Sequence, residues 1–301
     1  MDKTKGGEGI GLAAMAGCAL LWSIAGILIK LVDWNPFAIA CGRSLIASIF
    51  IFAWLRRPRF TFSPIQVGAA IASAATMLLF VVANKTTSSA NAILLQYTSP
   101  VYTAIIGAIV LKERPRAEQW AALVAVACGM ALFFMDDLGG GNIVGDLIAV
   151  GAGVAFAFYV VLMRAQKDGS PLESSLLAHL TTTVIAFAIA LFLPAPRLGP
   201  KAIAAILCLG VFQIGIASVL FSFGIKRVSA IQSVLIGVIE PMMNPVWVFL
   251  VTGEAPSGKA LVGGCIIIVA VAVSSVVTAR RDAALAREAA PASGSSPDSG
   301  S

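Results

Sequence analysis

Three ionisable side chains stand inside long apolar runs: Arg43, His179 and Glu240. Glu240 is the sharpest. It directly precedes Pro241, with Asn244 and Pro245 one turn on. Neither proline can donate a backbone hydrogen bond, so the carbonyls of Gly237 and Pro241 lose their helical partners. The stretch Gly237–Pro245 therefore reads as a broken helix, with a carboxylate in it that could receive an amine or a proton. The competing account is a structural kink whose carboxylate pairs with an arginine or histidine. A second stretch has the same logic: Gln96-Tyr97-Thr98-Ser99-Pro100, then Tyr102. Here Pro100 frees the carbonyl of Gln96, beside phenols, hydroxyls and an amide that can bind an amino or carboxyl group without fixed charge. Arg43 could meet an anionic group, hold Glu240 or a helix end, or snorkel outward. His179, the one histidine, could carry a proton as Glu240 could, or be a hydrogen-bonded structural residue. Trp22, Ser23, Tyr159 and Gln213 could line a cavity or fill a core.

Enzymatic chemistry finds no footing in the residue list. There is no HExxH, P-loop, GxSxG or Cys–His spacing, and Asp136-Asp137 is an isolated acidic pair. No metal site and no cofactor is expected. The five cysteines all fall in apolar runs, which argues against a disulfide framework.

The elements that must position these residues follow from composition. The 301 residues are 58% hydrophobic and 12% charged, about half the charge of a soluble domain. A water-soluble globule and a disordered chain are both excluded. The net charge of +6 does not imply nucleic acid, because the basic residues sit between apolar segments. A lipid bilayer is the expected surrounding. A membrane-crossing helix needs roughly 20 apolar residues, and ten such runs follow one another: 9–31, 37–55, 64–83, 88–111, 117–135, 143–163, 172–193, 201–224, 231–251 and 257–279. The fourth and ninth are broken by proline.

Placing both termini inside puts 15 of the 21 Lys and Arg residues on the inner side, from Lys3 and Lys5 to Arg280, Arg281 and Arg287. Lys30, Lys85, Arg197, Lys201 and Lys259 fall outside, and Arg43 within a span. The first run is too long for a cleaved signal peptide and reads as an uncleaved helix. This is a multi-pass protein of the cell membrane, with residues 282–301, rich in Ala, Ser, Pro and Gly, expected to be a disordered inner tail.

The chain repeats itself. A shift of 141 residues lays Lys85 on Lys226, Asn91 on Gln232, Pro100 on Pro241, Glu113 on Glu254 and Pro115 on Pro256. A shift of 134 lays Gly11 on Gly145, Trp22 on Phe156 and Lys30 on Arg164. Coincident Lys, Pro and Glu are not explained by apolar helices resembling one another. Five helices per half, an odd number, forces the halves into opposite orientations. The expected fold is an all-α membrane protein of ten transmembrane helices in two inverted five-helix repeats, 9–137 and 143–280.

Trp22 in the first helix, the Ala/Ser-rich entry to the fourth, Pro100 within it and Glu113 closing it, repeated with Pro241 and Glu254, resemble the EamA-type ten-helix transporters of the drug/metabolite transporter superfamily. The resemblance spans about residues 9–280. It implies a transporter rather than an enzyme, exporting a small-molecule metabolite such as an amino acid by alternating access through a central cavity. It gives Glu113 and Glu254 a structural or gating place. The second half departs from it in having Phe156 where the first has Trp22. The alternatives are a multidrug pump for hydrophobic cations, a channel or a membrane-embedded transferase. A carboxylate at Glu240 facing an amine, with Arg43 facing a carboxylate, favours a zwitterion over a hydrophobic cation.

Overall fold

The computed structural model describes residues 3–87, 89–133, 135, 142–252 and 257–288. Asp136, Asp137, Glu254 and residues 289–301 lie outside them, as do the side chains of Lys30, Lys85, Asn244 and Pro245. The described residues are all helix and connections. In order they form α1 (Lys3–Ser23), α2 (Ala25–Lys30), α3 (Pro36–Leu55), α4 (Pro64–Thr86), α5 (Ser89–Gln96), α6 (Ser99–Val110), α7 (Ala117–Phe133), α8 (Ile143–Ala165) and α9 (Pro171–Ala190). Then come α10 (Pro200–Cys208), a π-helical segment π1 (Leu209–Ile216), α11 (Ala217–Gly224), α12 (Ala230–Gly237), α13 (Ile239–Thr252) and α14 (Gly258–Glu288). Among the described residues, seven helical stretches are long and apolar enough to cross a bilayer, and three shorter apolar ones, Gly9–Ser23, Ala117–Phe133 and Ala230–Met243, bring the apolar helices to ten.

Local chemistry sets the starts. Asn35, Ser63 and Ser229 each accept a backbone N–H of the helix they begin, and α3 and α4 open on proline, whose missing N–H has no helical partner there anyway. Ser229 and Gln232 complete a capping box. Large apolar side chains face outward along the spans, among them Ile49, Trp54, Ile109 and Val184, each more than 60% exposed. In water such a belt is unfavourable; in lipid it is the solvated surface.

Two expectations change in detail. The break foreseen over Gly237–Pro245 is the single residue Val238, and α13 runs on through Pro241 and Pro245. Pro241 falls in the first turn of α13, where no N–H is needed, and Pro245 forfeits one backbone bond without ending the helix. At the other end, α14 continues through Asp282 to Glu288, because Asp282–Glu288 is rich in Ala, Leu, Arg and Glu, good helix formers.

Within the bundle, α4 packs on α8 and α9, α3 on α9 and π1, α7 on α14, and α6 on α8 and α12. Helix α1 lies against α11, α12 and α13. One large core runs through this arrangement, from Met15 and Cys18 through Val160, Val161 and Met163 to Phe221, Leu235 and Ile267. It holds the two broken spans side by side.

Candidate functional site

The two breaks meet. Helix α5 ends at Gln96, Tyr97 and Thr98 form the turn, and α6 begins at Ser99 with Pro100 second. Across the bundle α12 ends at Gly237 and α13 begins at Ile239. The Tyr97 hydroxyl donates to Glu240 Oε2 at 2.8 Å. The Gln96 carbonyl freed by Pro100 presses on α8: a Cβ on Gly153 would lie 2.8 Å from it, so only glycine admits the break there. Gly237 differs. It is buried, yet a Cβ built on it meets nothing within 4 Å. Open room therefore lies beside the second break, one turn from Glu240. The Gln96 side chain is half-buried and its Oε1 has no partner. Tyr102, also half-buried, lies further along α6 and makes no hydrogen bond among the described residues.

Arg43, on α3, does not clasp Glu240: among the described residues no ion pair joins them. Its Nη2 lies 3.8 Å from the Met77 sulfur on α4, and its Nε is buried without a partner. His179 on α9 is 5% exposed; Nε2 shares a hydrogen bond of 3.0 Å with Ser218 on α11, while Nδ1 has none. Gln213 lies on π1, is 6% exposed, and has an unpartnered Oε1. The wide turn of a π segment is costly and recurs at functional positions. Unsatisfied buried polar atoms are rare and each one asks for a partner that binding would supply.

An aromatic group adjoins this polar one. Trp22 packs at 5.7 Å between ring centroids on Phe221 and edge-on at 6.4 Å to Phe156, and Tyr159 stacks on Phe221 at 5.6 Å. Tyr159 and Phe221 are buried, whereas Trp22 and Phe156 keep part of their surface open. Ser23, where α1 gives way to α2, accepts a 2.8 Å hydrogen bond from Trp247 Nε1 on α13. Phe221 and Trp247 carried no sequence signal as site residues, although Trp247 stands seven residues after Glu240, two turns along one face. The Asn244 side chain lies outside the described residues.

A second polar contact joins Glu113, just past the end of α6, to the end of α8 and the start of α12. Glu113 Oε1 pairs with Arg164 Nε at 2.9 Å, Glu113 Oε2 accepts the Ala230 backbone N–H at 3.2 Å, and Arg164 Nη1 donates to the Ile225 carbonyl at 2.9 Å. Among the described residues no group of three His, Cys, Asp or Glu is placed to hold a metal ion.

This arrangement has relatives. A solved crystal structure superposes with a TM-score of 0.78 at 20% identity, over 90% of this chain and 98% of its own, which establishes a shared fold. An uncharacterized transporter of Bacillus subtilis (strain 168), YwfM, is 25% identical over 284 residues, 88% of this chain and 94% of the relative. An uncharacterized transporter of Archaeoglobus fulgidus is 26% identical over 267 residues, 84% of this chain and 92% of the relative. Both names say transporter, and neither gives a substrate. Residues 9–135 and 143–276 each match one family, and on that double match the chain belongs to the EamA-like transporter family.

Proposed function

We propose that this transporter carries small zwitterionic metabolites, amino acids above all, out of the cell. The substrate ammonium is received by Glu240 and its carboxylate by Arg43. The observation that carries this reading is the pair of opposite charges left unjoined. A carboxylate and a guanidinium at membrane depth each cost several kcal/mol unless paired or wetted. Glu240 has one hydrogen bond, from the uncharged phenol of Tyr97, and no cationic partner among the described residues, and Arg43 has an orphan Nε. A zwitterion with one end on each would neutralise both. A monovalent hydrophobic cation would neutralise Glu240 alone and feel repulsion from Arg43.

The partly open faces of Trp22 and Phe156 favour a second reading, since aromatic faces attract cations. On that reading the protein is a pump for hydrophobic cations, and Arg43 serves the fold. Transport follows alternating access between inverted repeats, 9–137 and 143–280, with both termini cytoplasmic. The Gln96–Tyr102 and Val238–Asn244 segments, one from each half, form the midplane site, where broken helices are tolerated because they border a cavity. The discriminating experiment reconstitutes the purified protein in liposomes and offers two panels, amino acids and hydrophobic cations. Amino-acid flux with no cation flux supports the zwitterion reading; cation flux alone replaces it with the pump.

A further inference from the structure

We propose that the turn between α3 and α4, residues 56–63, is a binding surface for anionic phospholipid headgroups, with Arg56, Arg57 and Arg59 on the phosphate and Phe62 among the acyl chains. The inference does not depend on the substrate. It concerns a face of the protein that the transport site leaves unused.

The sequence puts the chemistry in one short stretch. Arg-Arg-Pro-Arg-Phe-Thr-Phe-Ser follows directly on the membrane-crossing helix α3. All three arginines are exposed, and none of them makes an ion pair among the described residues. Other arginines are taken: Arg164 by Glu113, Arg281 by Glu118, and Arg227 over the Phe223 ring at 3.5 Å. Glu173, in the first turn of α9, does reach this turn. Its Oε1 accepts the Arg59 backbone N–H at 2.6 Å, which leaves the guanidinium free.

The backbone of the turn is held in an uncommon shape. Arg56 and Phe62 have φ of 58° and 48°, the left-handed region that residues other than glycine seldom enter. A buried amide enforces it: Gln66, 1% exposed, accepts the Thr61 and Phe62 N–H groups on Oε1 at 3.0 and 2.9 Å. Phe62 is thereby turned outward, 63% exposed, with Phe60 at 5.7 Å between ring centroids. Before the arginines, Trp54 is 61% exposed and stacks on Phe50. A strained turn that put a phenyl ring into water would lose twice. At the level of the headgroups the same ring gains a hydrocarbon surrounding, and exposed aromatics beside basic groups suit a negative surface over lipid.

Neighbouring connections widen the positive surface. The Lys226 ammonium donates to the Gly169 carbonyl at 2.8 Å, just before α9 begins, so the α8–α9 and α11–α12 connections lie at the same end as the Arg59–Glu173 contact. Lys167, Lys226 and Arg227 in these connections are exposed, and Asp168 and Glu173 are their acids. The turn also joins the two helices that carry Arg43 and Met77, so a lipid bound there restrains both.

The test titrates brominated lipids into the purified full chain in detergent and follows tryptophan quenching. A Trp54→Phe variant is subtracted, so that the difference reports position 54 alone. Phosphatidylglycerol brominated on its acyl chains should quench at about tenfold lower mole fraction than brominated phosphatidylcholine, the scale expected for a few arginines at an anionic surface. Arg56→Gln, Arg57→Gln and Arg59→Gln combined should abolish that preference. Lys112→Gln with Arg114→Gln, which removes exposed cations of the α6–α7 connection, should keep it. In Phe62→Trp the added fluorescence should be quenched by the acyl-chain bromines and shielded from aqueous iodide. Equal quenching by the two lipids, a preference that survives loss of the three arginines, or its equal loss in the Lys112 and Arg114 variant would overturn the proposal. So would an added fluorescence in Phe62→Trp that iodide quenches and the bromines do not. Displacement of the lipid by millimolar glycerol phosphate would make this a site for soluble anions and overturn it as well.

Discussion

Tyr97 and Glu240, 143 positions apart in the chain, are joined by one 2.8 Å hydrogen bond where two helix breaks face each other. The phenol comes from one half and the carboxylate from the other. A ligand ammonium reaching Glu240 must compete with this bond or share the carboxylate, which has a second oxygen and free lone pairs. The bond thus fixes the carboxylate's position before a ligand arrives.

Tyr97→Phe keeps the ring and removes the bond. Losing a charge-assisted hydrogen bond costs about 1.5–3 kcal/mol, so the purified variant should melt at lower temperature than the parent. Tyr97→Ala and Tyr102→Ala should alter the ranking of amino acids by side-chain size more than they alter membrane levels. Competition assays with a graded series from alanine to tryptophan check this. An unaltered ranking would take both residues out of the site.

Gly153 and Gly237 should respond in opposite ways to one added methyl group. Gly153→Ala drives a Cβ to 2.8 Å from the Gln96 carbonyl oxygen, a backbone atom that cannot swing aside. Overpacking of this kind costs about 1–3 kcal/mol, and thermal unfolding in detergent should show it. Gly237→Ala adds its methyl to open room and should leave the melting temperature unchanged or slightly raised, since alanine is the better helix former. Equal destabilisation by both would contradict the cavity beside Val238.

The basic residues predict sidedness. Single cysteines at positions 57 and 226 should react with impermeant reagents only from inside the cell, and those at 85 and 199 only from outside. Reaction of positions 57 and 85 from the same side would remove the inverted repeat.

Much of the scaffold is legible in single residues. Asn35-Pro36, Ser63-Pro64 and the Ser229–Gln232 box mark helix starts because capping is a local event, decided within four residues. Pro100 announces the α5–α6 break for the same reason. Pro245 misleads: a proline's cost is local, but whether a helix ends there depends on how its neighbours pack, and α13 continues. The site is legible only in part. Glu240, Tyr97 and Gln96 declare themselves as polar groups beside prolines. That Tyr97 is the residue bonded to Glu240, while Arg43 lies against Met77 instead, depends on helix rotation and tilt, which spacing does not encode. Phe221 and Trp247 hide among many apolar and aromatic residues that serve lipid contact or core equally well.

The most direct test of the account measures binding by Glu240→Gln and Arg43→Gln in purified protein, using phenylalanine, its decarboxylated amine and its deaminated acid. The unaltered protein should prefer the zwitterion to both analogues. Each variant loses one charge-assisted contact, about 1.5–3 kcal/mol or roughly 10–100-fold. Arg43→Gln should therefore bind phenylalanine no better than the amine, and Glu240→Gln no better than the acid. Undiminished phenylalanine binding by Glu240→Gln, or equal binding of all three compounds by the unaltered protein, would contradict a site built between these two charges.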